Sequence, residues 1–270
     1  MATESSNPAL TRNPYFNGKA VTKAPDMTSA QLKVMYDQPA ATETDTNRMS
    51  YEDVAVKTLS TFVILLIGAA IGWVIPALMI PAAIIGFVLA LVNTFKKEPS
   101  PALILLYAGV QGLFVGGISG VLESMPNLNG IVLQAVMGTL VVFGVTLALF
   151  ANGKIRASKK ATKIFLIAII GYAVFSLLNM VLMLTGVTDG AFGLRSAMIP
   201  GTQIPFGVVI GLFAIVLAAY SLVLDFDFVQ RGVKSGAPRK YGWSAAFGLT
   251  VTLVWLYIEM LRLIAIFRSN

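Results

Sequence analysis

Seven long stretches of apolar residues dominate this sequence and limit the folds it can adopt. Each approaches the roughly 20 residues that a helix needs to cross the hydrocarbon core of a bilayer. Charged residues make up only 12% of the chain, well below the share typical of soluble domains. The sequence therefore predicts an all-α membrane protein, a bundle of seven transmembrane helices. The expected spans are roughly 58–75, 77–95, 101–122, 129–151, 162–185, 204–227 and 243–267.

The residues before the first span have a different composition. Residues 1–48 are rich in small and polar residues and lack apolar periodicity, which predicts a disordered tail before a membrane domain at 49–270. No apolar segment typical of a signal peptide occurs in the tail, so we expect the first span to direct insertion. Pro76 and Pro81 favour a tight hairpin between spans one and two, with one kinked span plus a re-entrant segment as the alternative.

The positive charges are divided unequally between the two sets of loops. Thirteen Lys and Arg residues lie near the first span or between spans two and three, four and five, or six and seven. The opposite loops hold only Arg195, with Arg268 at the end of span seven. The positive-inside rule then predicts a cytoplasmic N-terminus and an external C-terminus. The net charge of +7 is thus explained by orientation, and we expect no nucleic-acid partner.

The chain contains no cysteine and no histidine, which excludes much of the usual catalytic chemistry. The segment GISG at 117–120 imitates a serine-protease motif, but no histidine base exists to activate the serine. The GxGD motif of intramembrane aspartyl proteases is also missing. We therefore expect neither an enzyme nor a resident cofactor.

Three acidic residues fall within the spans, where a charge is costly and needs a reason. Asp225 continues a helical stripe of small residues, which indicates a close helix contact and an inward-facing carboxylate. Asp227 continues a bulky stripe, so we expect it at the headgroups or paired with Arg231 four residues on. The small stripe consists of Gly207, Gly211, Ala214, Ala218 and Ser221.

Glu259 lies deeper in span seven and has two interpretations. It can pair locally with Arg262 at i,i+3 spacing. Alternatively it faces the same cavity as Asp225, where two carboxylates would share a proton or a hard cation such as Ca²⁺.

Span three carries two consecutive GxxxG steps at Gly112, Gly116 and Gly120, which predict close helix packing. Gln111 on the same span is a candidate donor to a carboxylate across the bundle.

Four segments, in order, resemble the Bax inhibitor-1 family, also called the transmembrane BAX inhibitor motif family, in its bacterial branch. They are NPYFNGKA, KKEPSPALILLYAGVQGLFVGGISGVLE, LVLDFDF and LYIEMLRL. The resemblance implies a seven-helix bundle with span seven central. It also implies a pH-sensitive calcium leak that depends on carboxylates of spans six and seven.

The resemblance places the family's span-six aspartate on Asp225, with Asp227 two positions later, and its span-seven acid on Glu259. Gln111 stands where many relatives have glutamate. The spacing between Asp225 and Glu259 is longer than in better-known members. If the intervening loop does not absorb the extra residues, Thr252 lies level with Asp225 and the pair does not form.

Two hypotheses follow for the function. The first is a cation leak channel of the bacterial plasma membrane, with Ca²⁺ as the expected ion, gated by protonation of the Asp225–Glu259 pair. In it, Ca²⁺ is a permeant or regulatory ion. The second is a non-conducting interaction protein that modulates a membrane protease or a stress or cell-death pathway through a membrane protein partner.

Overall fold

A computed structural model describes residues 28–29, 47–188 and 192–269. Over these residues it contains seven helices long and apolar enough to cross a membrane, as the sequence predicts. They are α1 (Tyr51–Val74), α2 (Met79–Phe95), α3 (Pro101–Glu123), α4 (Ile131–Ala151), α5 (Lys159–Leu184), α6 (Phe206–Lys234) and α7 (Gly242–Ser269). The predicted tail falls almost wholly outside the described residues and stays a prediction.

Two helices extend well beyond their apolar stretches, because charged residues fit a helix once it leaves the lipid. α1 begins at Tyr51, and the Ser50 hydroxyl accepts a hydrogen bond from the Asp53 amide at 3.1 Å, as expected of a helix cap. α6 continues seven residues past the expected end at 227. The first two spans are separate helices joined by a short 3₁₀ turn, Pro76–Leu78, so the re-entrant alternative is wrong.

The glycines of α3 bring it into backbone contact with α1. A methyl group added to Gly116 would lie 1.9 Å from the Ala69 carbonyl oxygen, and one added to Gly112 would lie 2.1 Å from that of Leu65. α1 has a GxxxG step of its own at Gly68 and Gly72. Methyl groups added to these two glycines would lie 2.3 and 2.1 Å from carbonyl oxygens of α3. The predicted close packing of span three is therefore confirmed, and its partner is span one.

α7 is the central helix, as the family resemblance implies. It packs against α1, α3, α4 and α6 and has the largest buried share of the seven. The small stripe of α6 faces it: methyls on Gly207 and Gly211 would lie 2.6 Å from Ile266 and 3.0 Å from Leu263. α5 lies at the periphery and contacts mainly α6 and the 3₁₀ helix Gly193–Ser196.

The two ends of the bundle carry different polar contacts. We call the end with the α1 N-terminus and loops 96–100, 152–158 and 235–241 the basic end, and the other the opposite end. At the basic end Lys240 binds Glu98 at 2.7 Å, and this hydrogen bond lowers the pKa of Glu98. At the opposite end Arg268 donates to the Asn129 carbonyl at 2.9 Å.

A compact polar cluster closes the basic end between α1 and the α6–α7 loop. Asp53 binds Lys57 at 2.5 Å and Arg239 at 2.7 Å. The Met49 amide donates to the Ala237 carbonyl at 2.8 Å, and Met49 is buried. The Asn47 carbonyl also accepts a hydrogen bond from the Arg239 amide at 2.9 Å, so the residues just before α1, which the sequence assigns to the tail up to position 48, are bonded to the α6–α7 loop from position 47.

The α1–α3 contact predicts a strong effect from a single methyl group. We expect Gly116→Ala to lower the free energy of unfolding in detergent micelles by about 1–3 kcal/mol, because the helices must separate or shift to admit the methyl. Gly144→Ala is the matched control, because a methyl there meets nothing within 4 Å. Equal stability of the two variants would contradict the contact.

Candidate functional site

Asp225 lies on the face of α6 that contacts α7, in the direction that its small stripe predicts. The Thr252 hydroxyl donates to Asp225 Oδ2 at 2.6 Å, and the Ser221 and Thr252 hydroxyl oxygens are 3.2 Å apart. Gly248 leaves room for the other oxygen, since a methyl there would lie 3.1 Å from Asp225 Oδ1. Within the described part of the chain, no Lys or Arg forms a salt bridge with Asp225. Its hydrogen-bond partner is the Thr252 hydroxyl, which Ser221 contacts in turn.

Asp227 has a different environment, as the two-residue spacing predicts. Arg231 Nε lies 2.9 Å from Asp227 Oδ2, one helical turn away, and the arginine side chain is largely exposed. Asp227 therefore forms the predicted i,i+4 ion pair near the basic end, whereas Asp225 is bound to Thr252 of α7.

Glu259 is buried in a cluster of cations and hydroxyls near the opposite end. Arg262 Nη1 donates to Glu259 Oε1 at 2.7 Å, so the local i,i+3 pair is present. Arg195 Nη1 lies 3.5 Å from the other oxygen, and the Tyr172 hydroxyl also donates to Glu259. Arg195 is itself buried and donates to the hydroxyls of Tyr172 and Ser176 at 3.0 Å. We call these five residues the arginine cluster.

The structure does not bring Asp225 and Glu259 together, which corrects the expectation of a shared pair. Asp225 lies nine residues before the end of α6 at Lys234, and Thr252 ten residues after the start of α7 at Gly242. In an antiparallel pair joined by a short loop, positions equally far from the turn face each other. Glu259 is seven residues beyond Thr252, about 10 Å further along the axis. Thr252 therefore takes the position opposite Asp225.

Gln111 does not face either carboxylate. A methyl group on Gly86 of α2 would lie 2.7 Å from Gln111 Oε1, so this amide points into the α2–α3 contact. The candidate role of Gln111 as a donor to the acidic residues is wrong for this conformation.

The sequence reasoning missed Arg195 and Tyr172, although a pattern was available. Tyr172, Ser176 and Asn179 form a polar i, i+4, i+7 stripe on the otherwise apolar α5, and a single stripe of this kind indicates a common partner. The partner is the segment around the 3₁₀ helix Gly193–Ser196: Asn179 binds backbone groups of Phe192 and Leu194 at 3.2 and 2.8 Å. Arg195 extends from the same segment into the bundle.

The oxygen groups around Asp225 are too few to enclose a Ca²⁺ ion by themselves. Ca²⁺ prefers six to eight oxygen ligands. Asp225, Thr252 and Ser221 supply one carboxylate and two hydroxyls, and the described residues contain no cluster of three or more acidic side chains. A cation here would keep part of its hydration shell. Glu259 is already neutralised by two guanidinium groups, so it is a poor cation ligand in this conformation.

A comparison with protein families matches the Bax inhibitor 1 like model over residues 7–269. The chain belongs to the Bax inhibitor 1 like family. A comparison with curated proteins gave no match. In this Bax inhibitor 1 like protein, the acids of helices six and seven lie at different heights along the bundle: Asp225 is bound to the Thr252 hydroxyl and Glu259 to Arg195 and Arg262.

The arginine cluster predicts that Glu259 matters for stability. Removing its charge leaves two guanidinium groups without their carboxylate, and breaking a buried ion pair typically costs about 3–5 kcal/mol. We expect Glu259→Gln to lower the free energy of unfolding in micelles by about this amount. Glu98→Gln, which removes an exposed partner of Lys240, should leave it nearly unchanged. A stable Glu259→Gln protein would contradict the structural role of the cluster.

Proposed function

We propose that this Bax inhibitor 1 like membrane protein is a pH-sensitive cation leak channel, with Ca²⁺ as a permeant ion, and is not an enzyme. The observation that carries the proposal is the environment of Asp225. A carboxylate inside a membrane bundle is costly, and structural carboxylates are commonly paired with a cation, as Glu259 is here. Asp225 accepts a hydrogen bond from the Thr252 hydroxyl instead, which leaves its negative charge available to a proton or a passing metal ion.

The mechanism uses the different positions of Asp225 and Glu259 along the bundle axis. The ionised Asp225 accepts the Thr252 hydrogen bond and attracts cations from the basic end of the bundle. Protonation removes that charge, so cation occupancy and flux fall as the pH decreases. At the opposite end the arginine cluster has two guanidinium groups and one carboxylate, and its excess positive charge opposes cation passage. Opening therefore requires Arg195 and the segment around it to move away from Glu259.

The orientation is part of the proposal. Thirteen of the 20 Lys and Arg residues lie in the basic-end loops or at the helix ends beside them, which supports an orientation with that end and the start of α1 in the cytoplasm of a bacterial cell. Asp225 would then be reached from the cytoplasmic side and the arginine cluster from outside.

The alternative function is a non-conducting interaction protein that modulates a membrane protease or a stress or cell-death pathway. The hydrogen bond from Thr252 is the observation that favours it, since a carboxylate that only joins α6 to α7 would make the same contact. Flux measurements separate the two functions, because the alternative requires no ion movement.

The leak proposal predicts different behaviour for the two neighbouring aspartates. Asp225→Asn keeps the shape and the Thr252 contact but removes the titrating charge. We expect it to reduce Ca²⁺ flux into proteoliposomes at neutral pH several-fold and to abolish the dependence of flux on pH. Asp227→Asn is the matched control and should leave the pH midpoint in place, because Asp227 is paired with Arg231. A shifted midpoint in Asp227→Asn alone would overturn the assignment, and absence of flux in the wild type would favour the interaction protein.

The proposed orientation is tested with single cysteines, which the chain otherwise lacks. We expect Ser158→Cys, in the basic-end loop 152–158, to resist a membrane-impermeant thiol reagent in intact cells. Ser269→Cys, at the end of α7, should react. Both cysteines should react after the cells are permeabilised, and the reverse pattern in intact cells would overturn the orientation.

A further inference from the structure

A long apolar groove of about 1140 Å³ runs along the bundle between α1 and α4. α1 lines it from Tyr51 to Trp73 and α4 from Val132 to Ala151, so the groove follows both helices over nearly their whole length. Its floor comes from α3, α6 and α7. Many of the side chains that line it are exposed: the exposed fraction is 65% for Leu59 and 57% for Leu140. In a membrane these surfaces must be covered by hydrocarbon.

The groove is unsuited to ions or headgroups over most of its length, and the Thr58 hydroxyl, which has no hydrogen-bond partner among the described residues, lies in the half next to the basic end. The Ser119 and Tyr257 hydroxyls in its floor bind each other at 2.7 Å, and the Thr139 hydroxyl donates to the Ala135 carbonyl. Tyr51 and Trp73 stand at its two ends, the positions that aromatic residues favour at membrane interfaces. The groove therefore accommodates acyl chains and has an interfacial residue at each end.

The basic end of the groove carries an exposed positive charge. Phe150 lines the groove, and the Arg156 guanidinium lies 4.3 Å from the centre of its ring. Arg156 forms no salt bridge within the described residues, and the nearby Lys154 is also exposed. None of the acids on the helices that line this end forms a salt bridge with Arg156 among the described residues: Asp227 is paired with Arg231, Asp53 with Lys57 and Arg239, and Glu52 does not line the groove. Arginine binds phosphate oxygens in a planar, two-point geometry.

We propose that this groove binds one anionic phospholipid from the leaflet at the basic end, with its phosphate on Arg156 and its acyl chains between α1 and α4. The chains of one leaflet reach about 15 Å, half the hydrocarbon thickness, so they occupy the half of the groove next to Arg156. The lipid fills the space between α1, which packs on α3 and α7, and α4, which packs on α6 and α7. This inference does not depend on Asp225 or on ion flux.

The test is native mass spectrometry of the purified full-length protein with added phosphatidylglycerol or phosphatidylcholine of identical chains. We expect the wild type to retain one phosphatidylglycerol, and Arg156→Gln to lose about tenfold in affinity for it relative to phosphatidylcholine. Arg156→Lys should recover part of the preference. Ala55→Trp fills the basic half of the groove and should remove binding of both lipids.

Two tryptophan variants control for non-specific effects. Ala70→Trp lies in the opposite half of the groove, and Ile167→Trp lies on exposed α5 outside it, so both should retain the lipid. Circular dichroism establishes that each variant is folded. If Ala55→Trp and Arg156→Gln retain phosphatidylglycerol like Ile167→Trp, the lipids are a non-specific annulus and the proposal is overturned. Equal retention of the two lipids by the wild type, or a dimer that Ala55→Trp dissociates, also overturns it.

Discussion

The close antiparallel contact between α6 and α7 is the constraint on which the polar interior depends. Glycine and alanine on α6 let the two helices approach, and the short connection at 235–241 fixes their register. That register places Asp225 opposite Thr252 and Gly248. It also leaves Glu259 two turns further along, opposite an apolar part of α6, where it needs partners from elsewhere.

Those partners explain how the peripheral helix α5 is attached. A buried carboxylate without a counter-charge would be strongly unfavourable, so Glu259 is satisfied by Arg262 from its own helix and by Arg195 from the α5–α6 connection. Tyr172 and Ser176 then join α5 to the same cluster. Since α5 buries little apolar surface, this polar contact is a major link between α5 and the core. Movement of the segment around Arg195 would therefore release α5 as well, which connects the proposed gate to a change in the bundle.

The packing of α1 has a similar consequence on the other side of the molecule. Glycine contacts hold α1 against α3, and Asp53, Lys57 and Arg239 hold its N-terminal end to the α6–α7 loop. α4 is held by α7 and α6. The two helices share α7 but are otherwise fixed by different neighbours, α3 for α1 and α6 for α4, and the apolar groove is the space left between them. A bilayer can fill this space with acyl chains, whereas a soluble protein could not leave it open.

The sequence by itself determined the seven spans, the central glycine contact of span three and the different faces of Asp225 and Asp227. These follow from helical periodicity and from the cost of polar groups in lipid, which act locally along the chain. The partner of each inward-facing group was decided only by the tertiary structure. Whether Asp225 meets Thr252 or Glu259 depends on the register across a loop, and the sequence left both possibilities open. Arg195 looked like an ordinary loop charge, because its burial against Glu259 requires the connection between α5 and α6 to fold back into the bundle. Periodicity reports which face of a helix is buried, but the level at which two faces meet is set by the connections and by the packing of the other helices.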